Sequence, residues 1–183
     1  RDFRRFVLVR ALLISTGLAA PYYVVIARQH SGSGNLLGLF ILASGLASAL
    51  SAAVWGRYSD RSSRKVLMAA AAMAAGLGVV VFLLDFLNVM ARLPWLAPTG
   101  FFLLSVAHSG VRVGRKTYIL DLASGERRTD YVAVSNTAIG VALLAGGALG
   151  ILAPVIGPGG MLLLLSCMGF AGVWMGMGLP ETQ

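Results

Sequence analysis

Gly56-Arg57-Tyr58-Ser59-Asp60-Arg61-Ser62-Ser63-Arg64-Lys65 is a charged decapeptide set between two long apolar runs. Four of its ten residues are cationic and one is anionic. No Asp, Glu, Lys or Arg precedes it back to Arg28, and none follows it until Asp85. That contrast predicts a short turn joining two membrane helices. The chain around it has 183 residues, 57% hydrophobic and 12% charged, with a mean hydropathy of +0.81. A soluble globule carries about a quarter charged residues, so the solvent read from this composition is lipid. Several apolar runs reach the ~20 residues that carry a helix across ~30 Å of hydrocarbon. The alternating ~10-residue segments of a membrane β-barrel are absent from the sequence.

The order of the decapeptide is more specific than its charge. A small residue closes one helix, an Asp follows four positions on, a basic residue comes next, and a basic pair enters the following helix. This resembles G-x-x-x-D-R/K-x-G-R/K-R/K, motif A of the major facilitator superfamily, with Gly56, Asp60, Arg61, Arg64 and Lys65 in register. Ser63 stands where the family has its second Gly, a replacement that fits only if the backbone there needs no positive φ. The resemblance implies an all-α integral membrane fold, a six-helix half-bundle of two inverted three-helix repeats. It also implies transport of a small-molecule substrate by alternating access, no cofactor, and two partners, the lipid bilayer and an amino-terminal six-helix half. The basic lead-in, the start at Arg1 instead of Met, and the short tail after the last helix favour the carboxy-terminal half. In this family the motif A carboxylate helps latch the outward-open state against a helix end of the other half, a role the resemblance assigns to Asp60.

The expected helices are about 6–27, 36–56, 66–90, 97–119, 131–156 and 160–179, in one domain covering 1–183. The loops between them alternate sides, and of the 15 basic residues thirteen fall on one side; only Arg28 and Arg92 fall on the other. By the positive-inside rule both termini and the motif loop are cytoplasmic, which in a bacterium means the inner membrane. The net charge of +8 is explained by that split, and nucleic acid is not an expected partner. Cys167 is a lone thiol, so no intrachain disulfide exists.

Pro21 inside the first helix cannot donate to the carbonyl of Gly17, and a kink is expected there. Tyr22 and Tyr23 follow it. The second helix is rich in small residues, the pattern of close helix association in lipid, and the stretches Ser44 to Ser48 and Gly146 to Gly150 are expected to face a missing partner. Asp85 is placed near the far interface as a hydrated carboxylate, and His30 in a loop. In the fourth helix Phe101, Ser105, His108 and Arg112 recur at helical spacing and share one face. An ionisable group at that depth faces protein or a water-filled cavity. The first and fourth helices line the pathway in the resembled family, which makes Tyr22, Tyr23, Ser105, His108 and Arg112 the cavity candidates. His108, with an ordinary pKa of about 6.5, is the candidate for proton coupling, set against a simple hydrogen bond to a neighbouring helix. Asp121, Glu126, Arg127 and Arg128 belong to a second charged loop, read as 112–130, that resembles the charged segment after the family's fourth helix. Gly150 to Gly157 partly resembles antiporter motif C, but Ala153 precedes Pro154 where that motif has Gly, and antiport is not inferred.

Two other classes have sequence requirements of their own. An intramembrane serine protease needs a Gly-x-Ser-Gly nucleophile and a base on a partner helix; the sequence has no Gly-x-Ser-Gly, and Ser109 adjoins His108, a spacing that points the two apart. No grouping of Cys, His and carboxylates suggests a metal. A six-helix subunit working as a homodimer stays open. The terminal Leu-Pro-Glu-Thr-Gln has Gln183 where a sortase signal needs Gly and is discounted.

Overall fold

The computed structural model describes residues 2–31, 36–93, 95–122 and 127–181. Every regular element among them is helical, the arrangement that satisfies each backbone polar group within its own segment in lipid. Four stretches are long and apolar enough to cross a membrane: Asp2–His30, Leu37–Ser59, Ser63–Phe86 and Thr129–Gly176. The chain is an integral membrane protein.

The first span differs from the single kinked helix expected over 6–27. It consists of α1 (Asp2–Leu12), α2 (Ser15–Leu18) and α3 (Ala20–Ser31). Pro21 is the second residue of α3, where a missing N–H is tolerated, and the chain restarts with Tyr22 N–H donating to Ala19 O at 3.0 Å. The break at Leu13–Ile14 has another cause. Thr16 donates both its backbone N–H, at 3.2 Å, and its hydroxyl, at 2.9 Å, to Leu13 O, a local side-chain bond that competes with the helical ladder.

The second and third spans are α4 (Leu36–Ser59) and α5 (Ser63–Phe86). Ser62 caps α5 from an extended backbone, its hydroxyl accepting Lys65 N–H at 3.2 Å, a device typically worth ~1 kcal/mol. Ser63 opens α5, and the only non-glycine residue with positive φ among those described is Asn88; Ser therefore fits where the family has Gly. Asn88 leads into α6 (Val89–Arg92), and α7 (Leu96–Leu122) follows. Here the charged loop expected over 112–130 is corrected. Arg112, Arg115, Lys116 and Asp121 all lie within α7, which runs on to Leu122. Glu126 lies outside the described residues, and Arg127 opens α8 (Arg127–Ala148).

A 3-10 turn, Leu149–Leu152, leads from α8 into α9 (Ala153–Gly176), tightening just before Pro154, which cannot donate to Gly150. The expected turn over Gly157–Gly160 is made at one residue: Gly157 has φ 71° and ψ 171°, a conformation open to Gly. Pro158 restarts the helix, and the last passage returns to the side of α8's first turn.

At the centre α7 lies against α4 and α5, α5 lies against α9, and α1 lies against α8 and α9. The α5–α7 crossing is close because Gly114 has no side chain: a Cβ there would stand 2.8 Å from Leu67 N and 2.9 Å from Leu67 Cα. Trp55 closes α4 onto α7 by donating its indole N–H to Val106 O at 2.8 Å. One core cluster, around Phe6, Leu67, Val111 and Tyr118, lies toward the motif loop, and another, around Tyr23, Val81, Leu104 and Leu162, toward the opposite end.

The two ends differ in chemistry. At one end Arg5 donates to Met175 O at 3.0 Å, Ser63 to Asp121 at 2.8 Å, and Tyr118 to Pro180 O at 3.1 Å. The start of α1, the motif loop and the end of α9 therefore meet there. At the other end His30 Nε2 lies 2.8 Å from Asp85 Oδ1. This corrects two expectations: His30 sits in the last turn of α3, and Asp85 is a half-buried partner of that imidazole.

Candidate functional site

Three polar features stand out: a groove, a clasp at the motif loop, and an unpaired carboxylate beside it. The groove lies among the first span, α4 and α7. It encloses about 270 Å³ and is lined by Thr16, Gly17 and Ala20, by Ser44 and Ser48 of α4, and by Phe101, Leu104, Ser105, His108 and Arg112 of α7. The helical spacing of Phe101, Ser105, His108 and Arg112 thus delivers all four to one wall. Thr16 is a polar lining residue that sequence reasoning did not single out, and Ser44 and Ser48, expected on a small-residue face toward a missing partner, line the groove as well; the signal is a hydroxyl at helical spacing in an apolar run.

His108 Nδ1 lies 3.2 Å from Thr16 Oγ1. Thr16 spends its one hydroxyl proton on Leu13 O, so its oxygen accepts from the imidazole and Nδ1 carries the hydrogen. The break in the first span and the orientation of His108 are one arrangement. Tyr23, expected on the cavity, is 1% exposed and belongs to the core, edge-on to Phe101 at 6.4 Å between centroids. Tyr22 packs half-buried against that same core, and neither tyrosine lines the groove.

Beside it, toward the motif-loop end, a second recess of about 320 Å³ is lined by Arg10, Arg115, Lys116, Ile119, Leu120, Val132 and Asn136. Arg10 crosses from α1 to α8, donating to Ser135 Oγ and, at 2.9 Å, to Asn136 Oδ1. The faces expected to be open are open in part. Gly45, Gly147 and Gly150 are exposed, with nothing within 4 Å of a Cβ built on them. Gly146 departs from the expectation, because it is buried against Ile14 and Leu18.

The motif loop is fastened to the C-terminal segment. Arg64 donates to Met177 O at 3.2 Å, to Leu179 O at 2.8 Å and to Glu181 Oε1 at 2.6 Å. The cation sits where α9 leaves its last carbonyls unpaired and where a positive charge is favoured. Lys65 Nζ adds a contact at 3.7 Å to the same carboxylate. Asp60 takes no part in this: it is exposed, and among the described residues its carboxylate has no hydrogen bond or ion pair. Arg64, which could have paired with Asp60, is committed to the C-terminal segment. Asp60 and Arg61 instead line an open cleft with Val54, Arg57 and Tyr58. Gly56 lies in the last turns of α4. Asp121 accepts from Ser63 of the loop; Arg127 and Arg128 lie in the first turn of α8.

The hydrogen bond from Arg64, assisted by Lys65, holds the Glu181 carboxyl below the usual carboxylate range. A depressed folded value means the contribution is present above the unfolded Glu pKa of ~4.3 and is lost as pH falls through the lower folded value. Thermal unfolding of the purified chain in detergent should accordingly show a loss of Tm on acidification across that window, and Glu181→Gln should flatten it. An unchanged acid limb in the variant would show that the clasp contributes nothing.

The family model described as Major Facilitator Superfamily matches residues 6–182. No curated protein and no solved structure matches the chain.

Proposed function

Because the chain belongs to the major facilitator superfamily, a family of membrane transporters, we propose that it is the carboxy-terminal six-helix half of a secondary transporter moving a small solute by alternating access. The observation that carries this reading is the groove. Hydroxyls of the first and second spans and the Ser105–His108–Arg112 wall of α7 face a space bordered by α4, whose outward face is left exposed. In transporters of this architecture two halves rock about a central site at their interface. Outside the groove, Leu42, Leu46 and Leu50 of α4, Leu144 of α8 and Val155 of α9 are exposed, apolar surface for lipid or a second half to cover. His108, oriented by Thr16, presents a fixed hydrogen-bonding group on this wall. The positive-inside rule puts the motif-loop end, with both ends of the chain, in the cytoplasm.

Transport is tested by reconstitution in liposomes. The chain alone should move no solute, and a co-expressed amino-terminal half should restore uptake; robust transport by the monomeric chain alone would refute the half-transporter reading. Topology is tested in a Cys167→Ala background, where impermeant thiol reagent added to intact cells should label Trp95→Cys and spare Arg61→Cys. The reverse pattern would invert the orientation.

A further inference from the structure

We propose that the groove and the recess beside it together form an anion site, with Arg112 of the groove and Arg10 and Arg115 of the recess gathering a carboxylate, phosphate or sulfonate group. This rests on the groove being the solute path. The three guanidinium groups come from α1 and α7. Arg10 and Arg115 line the same recess, and Arg112 and Arg115 lie three residues apart on α7, a spacing that puts like charges on one helix face. Such a cluster needs negative charge, and the described residues do not supply it. No Asp or Glu lines either recess. Neither Arg112 nor Arg115 makes an ion pair or hydrogen bond among the described residues. The nearest carboxylate in sequence, Asp121, faces the motif loop and accepts from Ser63.

Arg10 is held differently, and the difference supports the same conclusion. Its two terminal nitrogens are fixed by the neutral Ser135 and Asn136, while its Nε is buried without a partner. The side chain is thus oriented without being neutralised. Arg112 lies 16 residues beyond Leu96, the first residue of α7, or ~24 Å along the axis, and cations within a membrane are expensive unless paired. Three guanidiniums with no neutralising carboxylate would repel a cationic solute and gain little from a neutral one. An oxyanion relieves the repulsion and fits the planar donor fork of arginine in a bidentate manner. Ser105 and His108 line the adjoining wall and can hydrogen-bond the remainder of the solute.

A soluble anion and the phosphate of a lipid headgroup share this chemistry, and the experiment separates them. The purified chain is placed in nanodiscs of phosphatidylcholine alone, and its Tm is followed against sodium phosphate or succinate, with chloride at matched ionic strength, erythritol and tetramethylammonium as controls. Phosphate or succinate should raise Tm saturably while the controls do not. In Arg115→Gln and in Arg10→Gln the half-saturating concentration should rise about tenfold or more, the share of one charge-assisted hydrogen bond. Because Arg115 repels both neighbours, Arg115→Gln should keep or raise the Tm without added anion, so the variant remains measurable. If discs containing phosphatidylglycerol reproduce the rise without soluble anion, and Arg115→Gln abolishes it, the anion is a headgroup. A rise that is identical in the variants, a rise with tetramethylammonium, or none with any anion source overturns the proposal. Labelling of Ser105→Cys by a water-soluble thiol reagent reads the path separately. A labelled position without any anion effect sinks the anion site alone; an Arg115-dependent anion effect at an unlabelled position leaves the anion site standing and sinks the path.

Discussion

Gly114→Leu is expected to destabilise the chain by about 3 kcal/mol, at the upper end of what overpacking costs. The argument is steric. A bare Cβ at this position already stands 2.8 to 3.0 Å from Leu67 N, Cα and Cβ. Two of those atoms are backbone, so no rotamer change makes room and α5 must move away from α7. That crossing is the centre of the bundle. One turn earlier Gly110 meets Trp55 and Ala70, at 2.6 and 2.7 Å from its built Cβ, so separation also loosens α4 and strains the Trp55 hydrogen bond to Val106 O. Helices in lipid associate through close packing more than through the hydrophobic effect, which leaves little to compensate the lost contact. Gly45→Leu is the matched control: nothing lies within 4 Å of its Cβ site, and the change should stay within ~0.5 kcal/mol. Equal unfolding free energies for the two variants in mixed detergent would show that the crossing is not what holds the bundle.

Local features of the sequence were the legible ones. The motif loop between two apolar runs, the break before Pro21 and the polar face of α7 each follow from residues a few positions apart, where helical spacing decides what can meet. Long-range chemistry was not legible. His30 and Asp85 are 55 residues apart, and nothing local to either distinguishes a hydrated side chain from a partner. Asp121 lies past the expected helix end at 119, in a stretch whose charge suggests a loop; α7 instead runs on to Leu122 and carries Arg112, Arg115, Lys116 and Asp121 along it. Tyr23 and Gly146 failed in a related way. Amphipathic residue type placed Tyr23 on a cavity and small size placed Gly146 on an open face, whereas the packing of α3 on α7 and of α2 on α8 buries both.

Asp60 and Arg64 are neighbours in one motif, yet their substitutions should have separable effects. Arg64 works within the chain. Its guanidinium satisfies the carbonyls of Met177 and Leu179 and the carboxylate of Glu181, so Arg64→Ala strips donors from three acceptors at once. Hydrogen bonds with a charged partner contribute ~1.5–3 kcal/mol each where water does not replace them, and this clasp is half-exposed, so a loss of about 2 kcal/mol in the isolated chain is expected. Asp60 works outside it. The carboxylate is exposed and has no partner among the described residues, so Asp60→Asn should leave the isolated chain within ~0.5 kcal/mol of wild type. With the amino-terminal half present the order should reverse. An unpaired carboxylate is suited to the N-terminal amides of a helix or to a guanidinium supplied by that half, and in the proposed transporter it latches one of the alternating states. Asp60→Asn should therefore abolish the uptake restored by the second half while both halves still copurify. Full uptake by the Asp60→Asn pair, or a large stability loss in the isolated Asp60→Asn chain, would remove the latch and return Asp60 to the role of a solvated loop charge.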